Sequence, residues 1–241
     1  PAGEGGVECS SESAAARGSA TPPPPPPGRG ERLGVGPPKA FVELAGRPML
    51  EWSLEALAAT GSIDRILVTV PEDVGAHASL DAEEVEAVAG GPSRSQSVAN
   101  AIERVESELV VVHDAARPLA TAELFDAIVA GLEAEPELAG LIVATPVTDT
   151  TKEVLRGARI QRTLDRSTLW AAQTPQVFRT DALRDALGAT ELIAQASDDA
   201  MLVERNGGRV DVHRAPPANI KVTSASDLRL AELLLAERER F

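Results

Sequence analysis

Positive charge is in short supply in this 241-residue sequence, where 23 lysines and arginines stand against 37 aspartates and glutamates for a formal net charge of −14. A nucleic acid or an anionic membrane is met with a basic surface, so the balance argues against both as partners. A small anionic substrate needs only a local basic pocket. Cysteine is scarcer still, and Cys9 alone excludes an internal disulfide framework. The three histidines, His77, His113 and His213, are too scattered to offer a metal-ligand spacing. No apolar run approaches the roughly 20 residues of a membrane span, and the opening residues lack the basic-then-apolar order of a signal peptide. These absences describe a cytoplasmic protein, long enough to bury the core of one large α/β domain.

Lysine is nearly missing as well: Lys39, Lys152 and Lys221 stand among 23 basic residues. In a chain that otherwise writes arginine, a lysine marks a place where a compact, mobile ammonium suits better than a planar fork, although coding composition alone produces the same bias.

The first 27 residues carry small polar residues and then six prolines, "SESAAARGSATPPPPPP", which favour polyproline II and cannot donate to a sheet. Segment 1–27 therefore reads as disordered. Beyond it the pattern alternates as βα units do. "PMLEWSLEALAATG" (48–61) predicts a helix closed by Gly61, and "RILVTV" (65–70) a strand ended by Pro71. "VEAVAGG" (85–91) predicts a strand stopped by glycines, and "SRSQSVANAIERVE" (93–106) a serine-capped helix. A strand before His113, a helix over 121–135 and a strand over 139–147 follow. Residues 148–178 then interrupt the alternation with a polar, β-prone excursion. Helices at 180–188, from 197 and at 226–240, and strands at 209–215 and 219–222, restore it. Ser224 and Asp227 make a capping-box start for the last helix.

Two stretches carry chemistry. "VVVHDAARP" (110–118) opens as a buried strand and breaks at Pro118, so Asp114 and Arg117 sit just past a strand's carboxyl end. In open α/β sheets ligands bind at that edge, though a local Asp–Arg pair capping the strand reads the same way. "GRGERLGVGPPKAF" (28–41) offers four glycines with Arg29, Arg32 and Lys39 between them, a loop able to wrap phosphates with backbone amides and cations. It is not a Walker A loop. Alone, it is equally a solvated connection.

Taken in order, "GRGERLG", "PPKAFVELAGRPML", "GGPSRSQSV", "VVVHDAARP", "ATPVTDTTK", "TLDRSTLWAAQTPQVF", "SDDAMLVE" and "NIKVTSASDL" resemble the 2-C-methyl-D-erythritol 4-phosphate cytidylyltransferases of the non-mevalonate isoprenoid pathway. The resemblance runs from Gly28 to about Leu233. It implies an α/β, Rossmann-like nucleotidyltransferase fold, with a mostly parallel sheet, flanking helices and an extended β-arm for dimerisation. It also implies a reaction of CTP with methylerythritol phosphate, Mg²⁺ as cofactor, and a homodimer whose arms, residues 148–178, reach the partner's active site. By the same resemblance Gly28, Gly91 and Ser97 bind the nucleotide. Arg32 holds the β and γ phosphates, Lys39 the α-phosphate in the transition state, and Lys221 bridges the α-phosphate. Asp114 and Arg117 bind the polyol, with Asp114 also a candidate metal contact. Thr150 and Arg166 grip the attacking phosphate from the partner's arm, while Thr174 and Ser197 line the pocket.

One departure stands out. The family places its first, central strand directly ahead of the glycine loop, where this chain has Pro22 to Pro27, which cannot supply that strand's N–H groups. Segment 1–27 is thus either disordered or a mis-assigned N-terminal sequence ahead of a cytidylyltransferase domain over 28–241. Two other readings stay open: a cytidylyltransferase for ribitol phosphate or another polyol phosphate, and an inactive nucleotide-binding remnant lacking its first strand.

Overall fold

The computed structural model describes residues 38–71, 85–155, 158–188 and 196–238. Segment 1–27, Gly28 and Arg32 lie outside the described residues. A single 3₁₀ turn at Lys39–Phe41, with Phe41 buried, leads into a hairpin of β1 (Glu43–Leu44) and β2 (Arg47–Pro48). No local signal announces that hairpin, because its loop is Ala45–Gly46 with φ of 50° and 79°, and only the second residue advertises a left-handed turn. Helix α1 (Met49–Ala58) follows at once.

Strands β3 (Ile66–Val70) and β4 (Val85–Ala89) pair in parallel. At Gly90 the amide turns back onto the Val70 carbonyl at 2.7 Å, which ends β4. Ser93 then caps helix α2 (Arg94–Ile102), its hydroxyl accepting from the Gln96 amide at 3.1 Å. Strand β5 (Leu109–Val112), helix α3 (Ala122–Glu133) capped by Thr121, and strand β6 (Gly140–Pro146) continue the alternation.

The larger sheet has the order β10-β6-β9-β5, with β9 spanning Trp170–Arg179 and β10 Val210–Arg214. Strands β10 and β6 are parallel, but β9 runs antiparallel between β5 and β6. Strands β10, β6 and β5 therefore point the same way, as the sequence leads one to expect, and β9 differs in running against them. Connection length explains the difference: between β6 and β9 the described chain contains no crossover helix to carry it back to the sheet's other end, so it must return in the opposite direction.

Residues 148–178 divide in two. The hairpin of β7 (Lys152–Val154) and β8 (Ile160–Thr163) stands outside the body, while Thr174 to Phe178 on β9 are buried in the sheet. Successive β9 side chains feed opposite faces. Val177 joins Phe125, Ile128 and Leu132 of α3, and Phe178 joins Leu183 of α4 (Thr180–Gly188) and Leu202 of α5 (Asp199–Arg205). Helix α6 (Ala225–Arg238) opens on a reciprocal cap: the Asp227 amide donates to the Ser224 hydroxyl at 3.3 Å, and the Ser224 amide to the Asp227 carboxylate at 2.8 Å. It closes a third cluster with Leu44, Met49, Leu119 and Val222.

Residues 219–222 do not form the expected strand. The Val222 amide donates to the Ala116 carbonyl at 2.8 Å, so the segment is anchored on the loop after β5, where there is no strand to extend a ladder. No helix among the described residues is long and apolar enough to cross a membrane.

At Gly140 a Cβ would lie 2.5 Å from Cδ1 of the fully buried Phe178 and 3.2 Å from the Val177 carbonyl oxygen. Gly140→Ala is expected to lower stability by about 2 kcal/mol, the ordinary effect of overpacking. A denaturant midpoint that stays put at unchanged slope would show that Phe178 can turn aside.

Candidate active site

The loop that leaves β5 is held by a relay of hydrogen bonds. The Asp114 amide donates to Thr174 Oγ1 on β9 at 3.0 Å, and the Thr174 hydroxyl donates to His113 Nδ1 at 3.3 Å. His113 Nε2–H then donates to the Arg117 carbonyl at 3.2 Å, a tautomer assigned from these partners. The Arg117 amide closes the turn on the Asp114 carbonyl at 2.8 Å. The His113 ring meets Phe125 edge-on, centroids 5.0 Å apart, and burial pushes its pKa down to about 4, so the ring is neutral.

The Asp114 carboxylate has two cationic partners, neither of them Arg117. Its Oδ2 accepts from the Lys221 ammonium, and its Oδ1 accepts from Arg94 Nε at 3.0 Å. Burial alone would raise the Asp114 carboxyl; the Arg94 and Lys221 charges outweigh it and hold the group well below the usual carboxylate range. Arg94 reaches the other way with Nη1, 2.6 Å from Oδ2 of Asp199 on α5. Burial raises the Asp199 carboxyl, and Arg94 offsets that only in part. Lys221, Asp114, Arg94 and Asp199 thus form a row of alternating charge.

Around this row an open pocket is lined by Arg117, Ala172, Gln173, Thr174, Gln176, Ser197 and Asp198, with Arg94, Asp114 and Lys221 completing it. Arg117 is only 7% exposed, and its Nη1 donates to the Asn219 carbonyl at 2.8 Å. The Asn219 amide donates to Gln173 Oε1 at 2.8 Å and to the Thr174 carbonyl at 3.0 Å. Gln176 Nε2 donates to the Gln173 carbonyl and to Asp198 Oδ2, both at 3.1 Å. Cations, two carboxylates and several amides suit a ligand that is both an anion and a bearer of hydroxyls.

Five of the residues singled out from sequence meet here: Asp114, Arg117, Thr174, Ser197 and Lys221. Gly91 and Ser97 come together elsewhere, at the turn between β4 and α2, where the Gly91 amide donates to Ser97 Oγ at 2.9 Å. A Cβ at residue 91 would fall 2.4 Å from Gln96 Cγ, so the close approach of this turn to α2 requires glycine. Lys39 lies half-buried on its 3₁₀ turn and does not line the pocket. Thr150 and Arg166 are exposed on the arm, the Arg166 guanidinium donating to the Thr148 carbonyl, and neither lines the pocket of its own chain. Sequence reasoning misses Arg94, Asp199, Gln173, Gln176 and Asn219, and reads His113 only as a histidine without a metal spacing. All five fall inside the quoted motifs, the one signal available for them.

Comparison with known proteins bears on the pocket's chemistry. A family model described as 2-C-methyl-D-erythritol 4-phosphate cytidylyltransferase matches residues 25–237. The chain is similar to the protein of that name from Frankia casuarinae, at 43% identity over 213 residues, 87% of this chain and 78% of that one. It is 41% identical over 221 residues to the namesake from Symbiobacterium thermophilum, covering 88% and 91%. Among solved structures, the 2-C-methyl-D-erythritol 4-phosphate cytidylyltransferase of Thermus thermophilus aligns with a TM-score of 0.70 at 32% identity, over 83% of this chain and 95% of that one.

The neutral His113 ring makes stability depend on pH. Its pKa is about 4 in the fold against an ordinary 6.5, so between those values the unfolded chain takes up a proton that the fold refuses. Stability falls as pH drops through that window, by about 3 kcal/mol once it is crossed. His113→Gln is expected to remove close to one proton from that acid-side slope, read from denaturant midpoints between pH 7 and pH 4.5 without substrates or divalent ions. An identical slope in the variant would mean that the ring titrates normally.

Proposed function

The chain belongs to the 2-C-methyl-D-erythritol 4-phosphate cytidylyltransferase family, and from that premise we propose which of its residues carry the transfer of CMP from CTP to 2-C-methyl-D-erythritol 4-phosphate. An oxygen of the substrate phosphate attacks the α-phosphorus of CTP, the α–β phosphoanhydride bond breaks, and pyrophosphate leaves. Two anions must meet, and charge grows on the equatorial and departing oxygens, so fixed cations are the main catalysts.

The observation that carries the assignment is the Lys221–Asp114 pair at the pocket, an ammonium and a carboxylate side by side where a phosphate and a diol would arrive together. Lys221 turns from Asp114 to the α-phosphate as CTP binds, and Asp114 then accepts hydrogen bonds from the polyol hydroxyls. Arg117 adds a second positive charge, kept in place by the Asn219 carbonyl. Thr174 and Ser197 offer hydroxyls to the same ligand. Gly91 and Ser97 read the cytosine and ribose from the turn between β4 and α2. Lys39 stabilises the α-phosphate as its charge grows; Arg32 holds the β and γ phosphates and Gly28 belongs to the loop around them, both outside the described residues.

Mg²⁺ fits a sparse donor set. A magnesium ion is carried largely by nucleotide phosphates and water and asks for few protein oxygens. Asp114 would supply the protein's hard oxygen. When bound, the ion neutralises the triphosphate and the leaving pyrophosphate.

The arm supports a homodimer with exchanged arms. Val154, Leu155 and Ile160 on or beside the β7–β8 hairpin are 51–58% exposed, and Trp170 at the start of β9 is 41% exposed. Apolar surface of this kind on a projecting hairpin calls for a cover. Thr150 and Arg166 ride on the same arm, away from their own chain's pocket, and in the exchanged dimer they grip the attacking phosphate in the partner's site.

Pyrophosphate release from CTP, started by adding 2-C-methyl-D-erythritol 4-phosphate, tests the reading. Lys39→Ala is expected to lower kcat by roughly 10² to 10³ with little change in KM, since the charge acts chiefly in the transition state. An unchanged kcat would remove Lys39 from the transition state. Arm exchange makes a second, separate prediction when Lys39→Ala and Arg166→Ala chains are unfolded and refolded together. Each mixed dimer has one site with both defects and one with none. With about half the dimers mixed, activity should recover to roughly a quarter of wild type. Confirmed mixed dimers without recovery would mean that Arg166 serves its own chain.

A further inference from the structure

Asp199 plays no part in the chemistry above, yet it occupies a demanding position. Its side chain is fully buried, Oδ2 is bonded by Arg94 at 2.6 Å, and Oδ1 has no hydrogen-bond partner among the described residues. Burying a carboxylate with one oxygen unsatisfied disfavours the fold, and an apolar side chain of similar size would pack there at less cost. A residue held in such a place does something that packing does not.

What it does is written in the direction of Arg94. The guanidinium points Nη1 inward to Asp199 and Nε outward to Asp114 at 3.0 Å. Asp199 is itself fixed as the first residue of α5, directly after Asp198, whose carboxylate accepts from the Met201 amide at 3.2 Å. With Asp199 in place, the charge of Arg94 is shared between two carboxylates, and Nε is the atom bonded to Asp114. Remove the Asp199 charge, and a guanidinium flanked by a single carboxylate would turn its planar fork onto Asp114 through two parallel hydrogen bonds. Asp114 would then meet the polyol already engaged in a full ion pair.

We propose that Asp199, acting through Arg94, is a positioning residue that keeps the Asp114 carboxylate aimed into the pocket and charged toward the hydroxyls of the polyol phosphate. The inference rests on the assignment of Asp114 to the polyol. It also explains how Lys221 can leave: once the ammonium moves to a phosphate, Arg94 alone still orients Asp114, and the row of charges becomes net negative where hydroxyl donors arrive.

The test is a double-substitution cycle read as separate KM values. Asp199→Asn, nearly isosteric, should raise KM for 2-C-methyl-D-erythritol 4-phosphate about tenfold, leaving KM for CTP within about twofold and kcat within about threefold. Arg94→Lys, which keeps the charge and loses the fork, should show the same split and serves if the first variant does not melt cooperatively. In an Asp114→Asn background, Asp199→Asn should change KM for the polyol phosphate by less than about twofold, because the residue acts only through Asp114. A merely structural Asp199 would instead raise both KM values, or its effect would multiply with that of Asp114→Asn, and either result overturns the proposal. If Asp114→Asn alone leaves KM for the polyol phosphate unchanged, the assignment of Asp114 falls and the inference with it. If Asp114→Asn raises that KM and Asp199→Asn does not, the inference falls and the assignment stands.

Discussion

The row of alternating charge, Lys221, Asp114, Arg94 and Asp199, is the constraint around which the site is built. It joins four segments that meet nowhere along the chain: the loop after β5, the first turn of α2, the start of α5 and the connection after β10. Asp114, Arg94 and Asp199 lie largely out of water, where each charge alone would be strongly disfavoured, and alternation lets each compensate its neighbours, with the exposed Lys221 closing the row at the solvent end. Such rows add little net stability compared with apolar packing. Their value lies in geometry, since removing one member strands the next, and the fold is thereby committed to one arrangement of the pocket.

The antiparallel insertion of β9 gives that row its frame. Between β5 and β6, β9 presents Val177 to one helical layer and Phe178 to the other, so both cores depend on its register. A slip of one residue would exchange the two faces and carry Thr174 away from His113 and Asp114. The hydrogen bonds of Thr174 and the packing of Phe178 are thus secured by the same pairing. Gly140 opposite Phe178 is the close fit that makes the register hard to change.

Much of this is legible in the sequence, and the reasons separate cleanly. Caps and strand ends are local, so Ser93, the Ser224–Asp227 box and the break at Pro118 can be read from neighbouring residues alone. The position of Asp114 and Arg117 past β5 follows from that break. The direction of β9 depends on connection geometry, which composition does not carry, and the segment around Lys221 looks like a strand because its residue types suit one. Arg94 is the hardest to see. Its partners lie 20 and 105 positions away, and no spacing rule links residues so far apart. Ala45, left-handed without being glycine, hides the first hairpin for the opposite reason: there the local signal itself is missing.

Helix α2 has one more property that follows from its first turn. Ser93 caps it, Arg94 opens it toward Asp114, and Ser97 lies one turn further on beside Gly91. On the proposed roles, the residue that reads the nucleotide and the residue that aims the polyol's carboxylate are carried by one rigid rod. A displacement of α2 as CTP seats against Gly91 and Ser97 would be carried to Arg94 and hence to Asp114. By thermodynamic linkage, whatever factor the nucleotide gains or loses from the polyol phosphate, the polyol phosphate gains or loses equally from the nucleotide.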